Sequence, residues 1–217
     1  MSAVRRAWVG RWLTGLRCTA FVALVALFAD ALPATAAADV QFTEPFRLES
    51  TYGGGVTPAA LQGKWLLVYL GQTACGERCR PALTLMHRTL EGLGWWERRQ
   101  LRPAMISVDP QRDTTESVRS YLSRLGMGGG VGGVEGWVGN TLNTNLAVRS
   151  MGVSSADVCR SDSALPPNAT TAAVDEAHVP YIWIVSPDRR LASFLIEGMP
   201  VDKAVAHLRK TIASGGG

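Results

Sequence analysis

The sequence predicts an α/β domain, a central mixed sheet flanked by helices, and three observations carry that expectation. Two short apolar runs, residues 64–70 and 103–108, each lead into a segment with apolar residues at helical spacing, the βαβ pattern of parallel strands. A third run, residues 179–185, passes through Ser186-Pro187-Asp188-Arg189 into Leu191–Ile196, the pattern of an antiparallel hairpin. Two cysteines, Cys75 and Cys79, stand where the first strand gives way to its helix. With 217 residues, 47% of them apolar, the chain is long enough for one good core and short for two.

Taken in order, residues 42–48 read as an edge strand marked by Pro45, and Thr51-Tyr52-Gly53-Gly54-Gly55 as a turn. Lys64-Trp65-Leu66-Leu67-Val68-Tyr69-Leu70 is a buried strand. After the cysteines, Pro81 suits the first turn of a helix whose core face is Leu83, Met86, Leu90 and Leu93, ended by Gly92 and Gly94 before Trp95-Trp96. The strand at 103–108 ends at Asp109-Pro110-Gln111-Arg112-Asp113. Asp113 with Glu116 fits a capping box for a helix presenting Val118, Tyr121, Leu122 and Leu125. The glycine-rich stretch 127–136 reads as loop, 142–151 as a short helix, and 153–177 as a long polar loop. After the hairpin, Val201, Val205, Leu208 and Ile212 mark a closing helix, and residues 214–217 a disordered tail. Strand, helix, strand, helix, then hairpin and helix, with cysteines at the first strand's end, is a thioredoxin-like layout.

The first 38 residues read as a signal peptide, with an uncleaved N-terminal anchor as the alternative; the thioredoxin-like domain then occupies residues 39–213. Arg5, Arg6, Arg11 and Arg17 precede an apolar run from Cys18 to Phe28, Pro33 breaks it, and alanines follow at the cleavage positions. The run is short for a bilayer span. The formal charge of +4 belongs to this leader, which holds four of the 22 basic residues and one of the 18 acidic ones. Beyond it the two signs nearly balance, so there is no electrostatic case for nucleic acid. Export is expected, to the periplasm or the outer face of an inner membrane, with membrane association if the leader stays attached.

Two cysteines four apart share one face of a helical turn, so their sulfurs can meet. The unpaired N–H groups and positive dipole end of a helix N-terminus favour thiolate, and Arg78 and Arg80 add positive charge. Three uses are open: disulfide exchange, binding of a soft metal ion, and a structural disulfide. In an oxidising compartment such a pair rests as a disulfide unless a partner reduces it or a metal occupies it. Cys159 is left over as a free thiol in the long loop.

Three blocks resemble the Sco/SenC family, exported thioredoxin-like proteins that bind copper and assist cytochrome c oxidase assembly. The first runs from Gly63 through the strand into Cys75-x-x-x-Cys79, the second is Asp109-Pro110-Gln111-Arg112-Asp113-Thr114, and the third is Asp175-Glu176-Ala177-His178 before Tyr181 to Asp188. The likeness covers roughly Phe42 to Leu208, with residues 127–174 poorly matched. It implies copper bound by Cys75, Cys79 and His178, and a partner that is the copper-site subunit of cytochrome c oxidase or another periplasmic copper or thiol protein. Two thiolates and an imidazole suit soft Cu(I). His87 lies ~12 Å along its helix from Cys79, and His207 reads as surface. The chain has Gly76 and Arg80 where the family carries prolines, a change that favours thiol chemistry. The alternative function is therefore a thiol–disulfide oxidoreductase using Cys75 and Cys79 without obligatory metal, for which a cis bond at Pro180 would speak. A peroxidase reading lacks the proline expected ahead of Cys75. His178 separates the first two, because disulfide exchange does not require it.

Overall fold

The structure, a computed structural model, describes residue 42 and residues 44–129, 133–151 and 181–215. Among these, seven strands form one mixed sheet: β1 (Leu48–Ser50), β2 (Gly55–Val56), β3 (Trp65–Gly71), β4 (Leu101–Ser107), β5 (Glu135–Val138), β6 (Tyr181–Val185) and β7 (Leu191–Ile196). Their spatial order is β2-β1-β5-β4-β3-β6-β7. β3, β4 and β5 run parallel, and both flanks are antiparallel. The helices are α1 (Arg80–Glu91), α2 (Trp95–Arg99), α3 (Thr115–Arg124), α4 (Thr141–Arg149) and α5 (Val201–Ser214). None of the described helices is long and apolar enough to cross a membrane.

β3 organises the two faces, because alternate residues of a strand point to opposite sides. Trp65, Leu67 and Tyr69 join Leu83, Met86 and Leu90 of α1, Val118 and Leu122 of α3, and Ala204, Val205 and Leu208 of α5 in one cluster. Leu66, Val68 and Leu70 face the other way, into Phe42, Phe46, Leu61, Trp137 and the α4 residues Ala147 and Val148. A strand buried on both faces needs an unbroken apolar run, which is what Trp65 to Leu70 supplies. Each fully buried leucine of such a layer is worth about 1.5–3 kcal/mol relative to exposure.

Three expectations need correction. Phe42 and residues 44–47 form no strand; among the described residues the ladder begins at Leu48, after Pro45, which has no N–H to donate. Nor is that strand an edge, since the glycine turn folds β2 back as the outer strand and β1 pairs with β5 on its other side. β5 lies inside the stretch read as glycine-rich loop. There Glu135 sits buried, held by Arg102 and the Ser50 hydroxyl, and Gly136 lies where a Cβ would overlap Val118. Beyond these three, Trp95-Trp96, to which the sequence assigns no element, opens a short helix, α2, whose Glu97 carboxylate accepts from the Gly94 N–H at 2.6 Å.

The two ends of the sheet differ. β6 runs opposite to β3, so the turn after Val185 lies beside the start of β3, where Gly63 N–H donates to the Pro187 carbonyl at 2.9 Å. Phe42 N–H donates to the Arg189 carbonyl in the same turn, and Gly215, after α5, lies against the Trp65 ring. The cysteines occupy the other end, past Gly71.

Candidate functional site

β3 ends at Gly71, Gln72 is extended, and a 3-10 turn spans Thr73–Arg78. Cys75 donates its N–H to the Gln72 carbonyl at 3.2 Å, inside that turn. Cys79 ends the turn and stands at the N-cap of α1, its carbonyl accepting the Leu83 N–H at 3.2 Å. Pro81 falls in the first turn of α1, where no N–H is needed. The two cysteines therefore straddle a tight turn and a helix start rather than sharing one helix face. Their Cα atoms are 5.6 Å apart, well inside the span a disulfide bridges, and their sulfurs are bonded.

The pair is unequal in exposure. Cys79 is 1% exposed and belongs to the cluster of Ala82, Leu83 and Met86. Cys75 packs on the edge of that cluster and stays partly open to solvent. Only Cys75 is open to attack by an outside thiolate.

Asp113 holds the turn from the loop that follows the neighbouring strand, β4. It is 4% exposed, and its carboxylate accepts the Thr73 N–H at 3.1 Å, the Thr73 hydroxyl, and the Ser107 hydroxyl at 2.6 Å. The expected capping role falls instead to Thr114, whose hydroxyl accepts the Ser117 N–H at 3.1 Å while Ser117 Oγ accepts the Thr114 N–H at 2.8 Å. A buried carboxylate needs several donors, and three converge here. Nothing local in the sequence singles out Thr73 or Ser107 as its partners. The signal that finds them is the parallel register of Gly71 beside Ser107, which puts the segment after β4 against the segment after β3. Asp109 stays nearer the surface, accepting from the Arg112 guanidinium at 3.0 Å.

His178, Pro180 and Cys159 lie outside the described residues. Among the described residues no three of His, Cys, Asp and Glu gather as metal ligands. His87 faces Glu91, with Nε2 3.5 Å from its carboxylate. His207 is not a free surface group, since Nε2 lies 2.7 Å from the Ser193 hydroxyl. The donor set present at the turn is thus two sulfurs. Once reduced, two adjacent thiolates fit a soft, low-coordinate metal ion such as Cu(I) and do not fit hard cations such as Mg²⁺ or Ca²⁺.

Comparison with known proteins gives the family and the fold. A family described as SCO1/SenC matches residues 34–213. The mitochondrial SCO1 homolog 1 of Arabidopsis thaliana is 35% identical over 81 residues, which is 37% of this chain and 24% of that protein. The mitochondrial SCO1 homolog of Homo sapiens is 34% identical over 82 residues, 37% of this chain and 27% of that protein. The chain thus matches about a quarter of the length of these relatives. Among solved structures, ScoI of Bradyrhizobium japonicum with copper bound aligns with a TM-score of 0.57 and 25% identity, covering 77% of this chain and 97% of that one. Yeast Sco1 aligns with a TM-score of 0.59 at 21% identity, covering 78% and 93%, and supports the fold.

Proposed function

The chain belongs to the SCO1/SenC family, and from that premise we propose that it is an exported copper-binding protein. Its role is to assist assembly of the copper site of cytochrome c oxidase, with Cys75, Cys79 and His178 as ligands. The observation that carries this reading is the meeting of two sulfurs in the turn between β3 and α1, one buried and one accessible. The copper-bound ScoI of Bradyrhizobium japonicum supports copper as the cargo. Export rests on the basic and apolar leader, and assigns the protein to the periplasm or the outer face of the inner membrane.

Loading requires reduction first. A thiolate from a dithiol reductant attacks Cys75 Sγ, the Cys75–Cys79 bond breaks, and Cys79 leaves as a thiolate. The reductant's second thiolate then attacks its own sulfur in the mixed disulfide and releases Cys75 as a thiolate. Two electrons pass from the reductant, which ends as a disulfide. The α1 N-terminus stabilises the thiolate at its N-cap through unpaired N–H groups and the helix dipole. Asp113 holds Thr73, so the turn keeps its place as the sulfur–sulfur bond opens. Cu(I), when bound, is held by these soft donors and passed on by ligand exchange.

A second reading is supported by the disulfide itself: a thiol–disulfide oxidoreductase that uses Cys75 and Cys79 without metal. Titration of the reduced protein with Cu(I) against a competing chelator tests the first reading. One equivalent bound tightly, and lost in Cys75→Ser, is expected; stoichiometric thiols with no Cu(I) retained against the chelator would leave the oxidoreductase.

A further inference from the structure

Two tryptophans lie open to water at the end of the sheet remote from the cysteines. Trp96 is 73% exposed and Trp95 46%, while Trp65, Trp137 and Trp183 are buried. The rings of Trp95 and Trp96 meet edge to face at 4.4 Å, and the Arg99 guanidinium lies 4.5 Å above Trp95. Lys64 joins them, its ammonium donating to the Arg99 carbonyl at 3.3 Å, so that Lys64 and Arg99 form a basic rim at α2. The acid of this helix, Glu97, is engaged by Arg209 of α5 at 2.7 Å and by the Gly94 N–H. The face therefore combines indole rings with unbalanced positive charge.

From this arrangement we propose that the Trp95–Trp96 face, rimmed by Lys64 and Arg99, is a docking surface for an anionic lipid bilayer. Indoles favour the headgroup level of a membrane, where the ring is partly dry and its N–H still finds a partner. Cations beside them are drawn to anionic headgroups, each strengthening surface binding about fivefold. Position on the molecule argues for the same occupant. Trp65 N–H donates to the Gln100 carbonyl, which ties α2 to the start of β3. Phe42 is fixed at that same end through Arg189. Phe42, the first described residue of the domain, thus lies at the indole end of the sheet, and the arginine-rich, apolar leader precedes it in the sequence. A β3 of seven residues then holds the cysteine turn about 20 Å from the lipid surface, facing the aqueous side.

The test uses Ala38–Gly217, which forms a compact unit by itself with both core clusters inside it, and which lacks the leader. Partition into phosphatidylglycerol–phosphatidylcholine vesicles is measured by sedimentation and compared with pure phosphatidylcholine. Binding to the anionic vesicles is expected, weakening as salt rises. Trp95→Ala with Trp96→Ala lowers the partition coefficient at least about tenfold. Arg99→Glu, an exposed single change, lowers it at least about fivefold. Absence of binding to anionic vesicles overturns the proposal, as does binding that both variants retain. A dimer that the double variant abolishes, with no vesicle binding, assigns the face to a second copy of the chain instead.

Discussion

The carboxylate of Asp113 accepts both the backbone N–H and the hydroxyl of Thr73, two residues ahead of Cys75. A side chain from the loop after β4 thus sets the position of the turn that carries the thiol pair. Removing it orphans buried donors on Thr73 and Ser107, each costing about 1–3 kcal/mol. Asp113→Ala is expected to lower the unfolding free energy by about 2–4 kcal/mol in urea, with the Thr73 amide losing hydrogen-exchange protection. Asp113→Asn keeps one acceptor and should lose less.

The unequal burial of the cysteines predicts which one an attacking thiolate reaches. In the Cys79→Ser variant, oxidised glutathione should form a mixed disulfide at Cys75. In Cys75→Ser the matching reaction at Cys79 should run at least about tenfold slower, because the thiolate must first be exposed. Mass spectrometry over time reads both. Equal rates would show that the turn opens freely and that burial does not direct the exchange.

His178 divides the two functional readings. His178→Ala is expected to weaken Cu(I) affinity by at least ~10–100-fold, since even indirect supports of metal ligands carry that much. The Cys75–Cys79 reduction potential should barely move, because it follows thiolate stability and not the imidazole. Paired chelator competition and glutathione redox equilibration separate the outcomes. Unchanged Cu(I) affinity would remove His178 from the site.

Acid stability should report the clasp between α2 and α5. The hydrogen bond from Arg209, with that from the Gly94 N–H, lowers the Glu97 pKa below the ordinary carboxylate value. Stability from this group is therefore fully present above the unfolded-state value of about 4.3 and is lost as pH falls through the lower folded one. The pair is exposed enough for solvent to screen it, so its share is small. Glu97→Gln should flatten that part of the acid limb and leave stability near neutral pH reduced by the same small amount. A thermal-melt series against pH checks it.

Much of this was legible because apolar runs and turn residues carry local information. Trp65 to Leu70 announces a strand buried on both sides, and Ser186-Pro187-Asp188-Arg189 announces the hairpin. The cysteine pair was legible for the same reason, being contiguous. What escaped was set by contacts distant in sequence. β5 is a four-residue strand containing a glycine and a glutamate, and it exists because β4 and β1 offer it edges. Gly136 is required by the close approach of Val118 from α3, a packing fact invisible in the local composition. Asp113 looked like a cap because caps are local, whereas its partner Thr73 is 40 residues away. Trp95 and Trp96 stand in the sequence only as the residues after a helix stop, since exposure is a property of the assembled surface.

Phe42 and Gly215 both lie at the β3 start, away from the thiol turn. Reporter groups or carrier proteins fused to either end of the domain would leave the cysteines sterically clear. A linker long enough to pass around the start of β3 would join those ends and permit circular permutation, with the chain reopened in the Thr51–Gly54 turn, whose residues Tyr52 to Gly54 are exposed. In such a permutant the thiol turn would keep both of its flanking elements, β3 and α1, in their native covalent order.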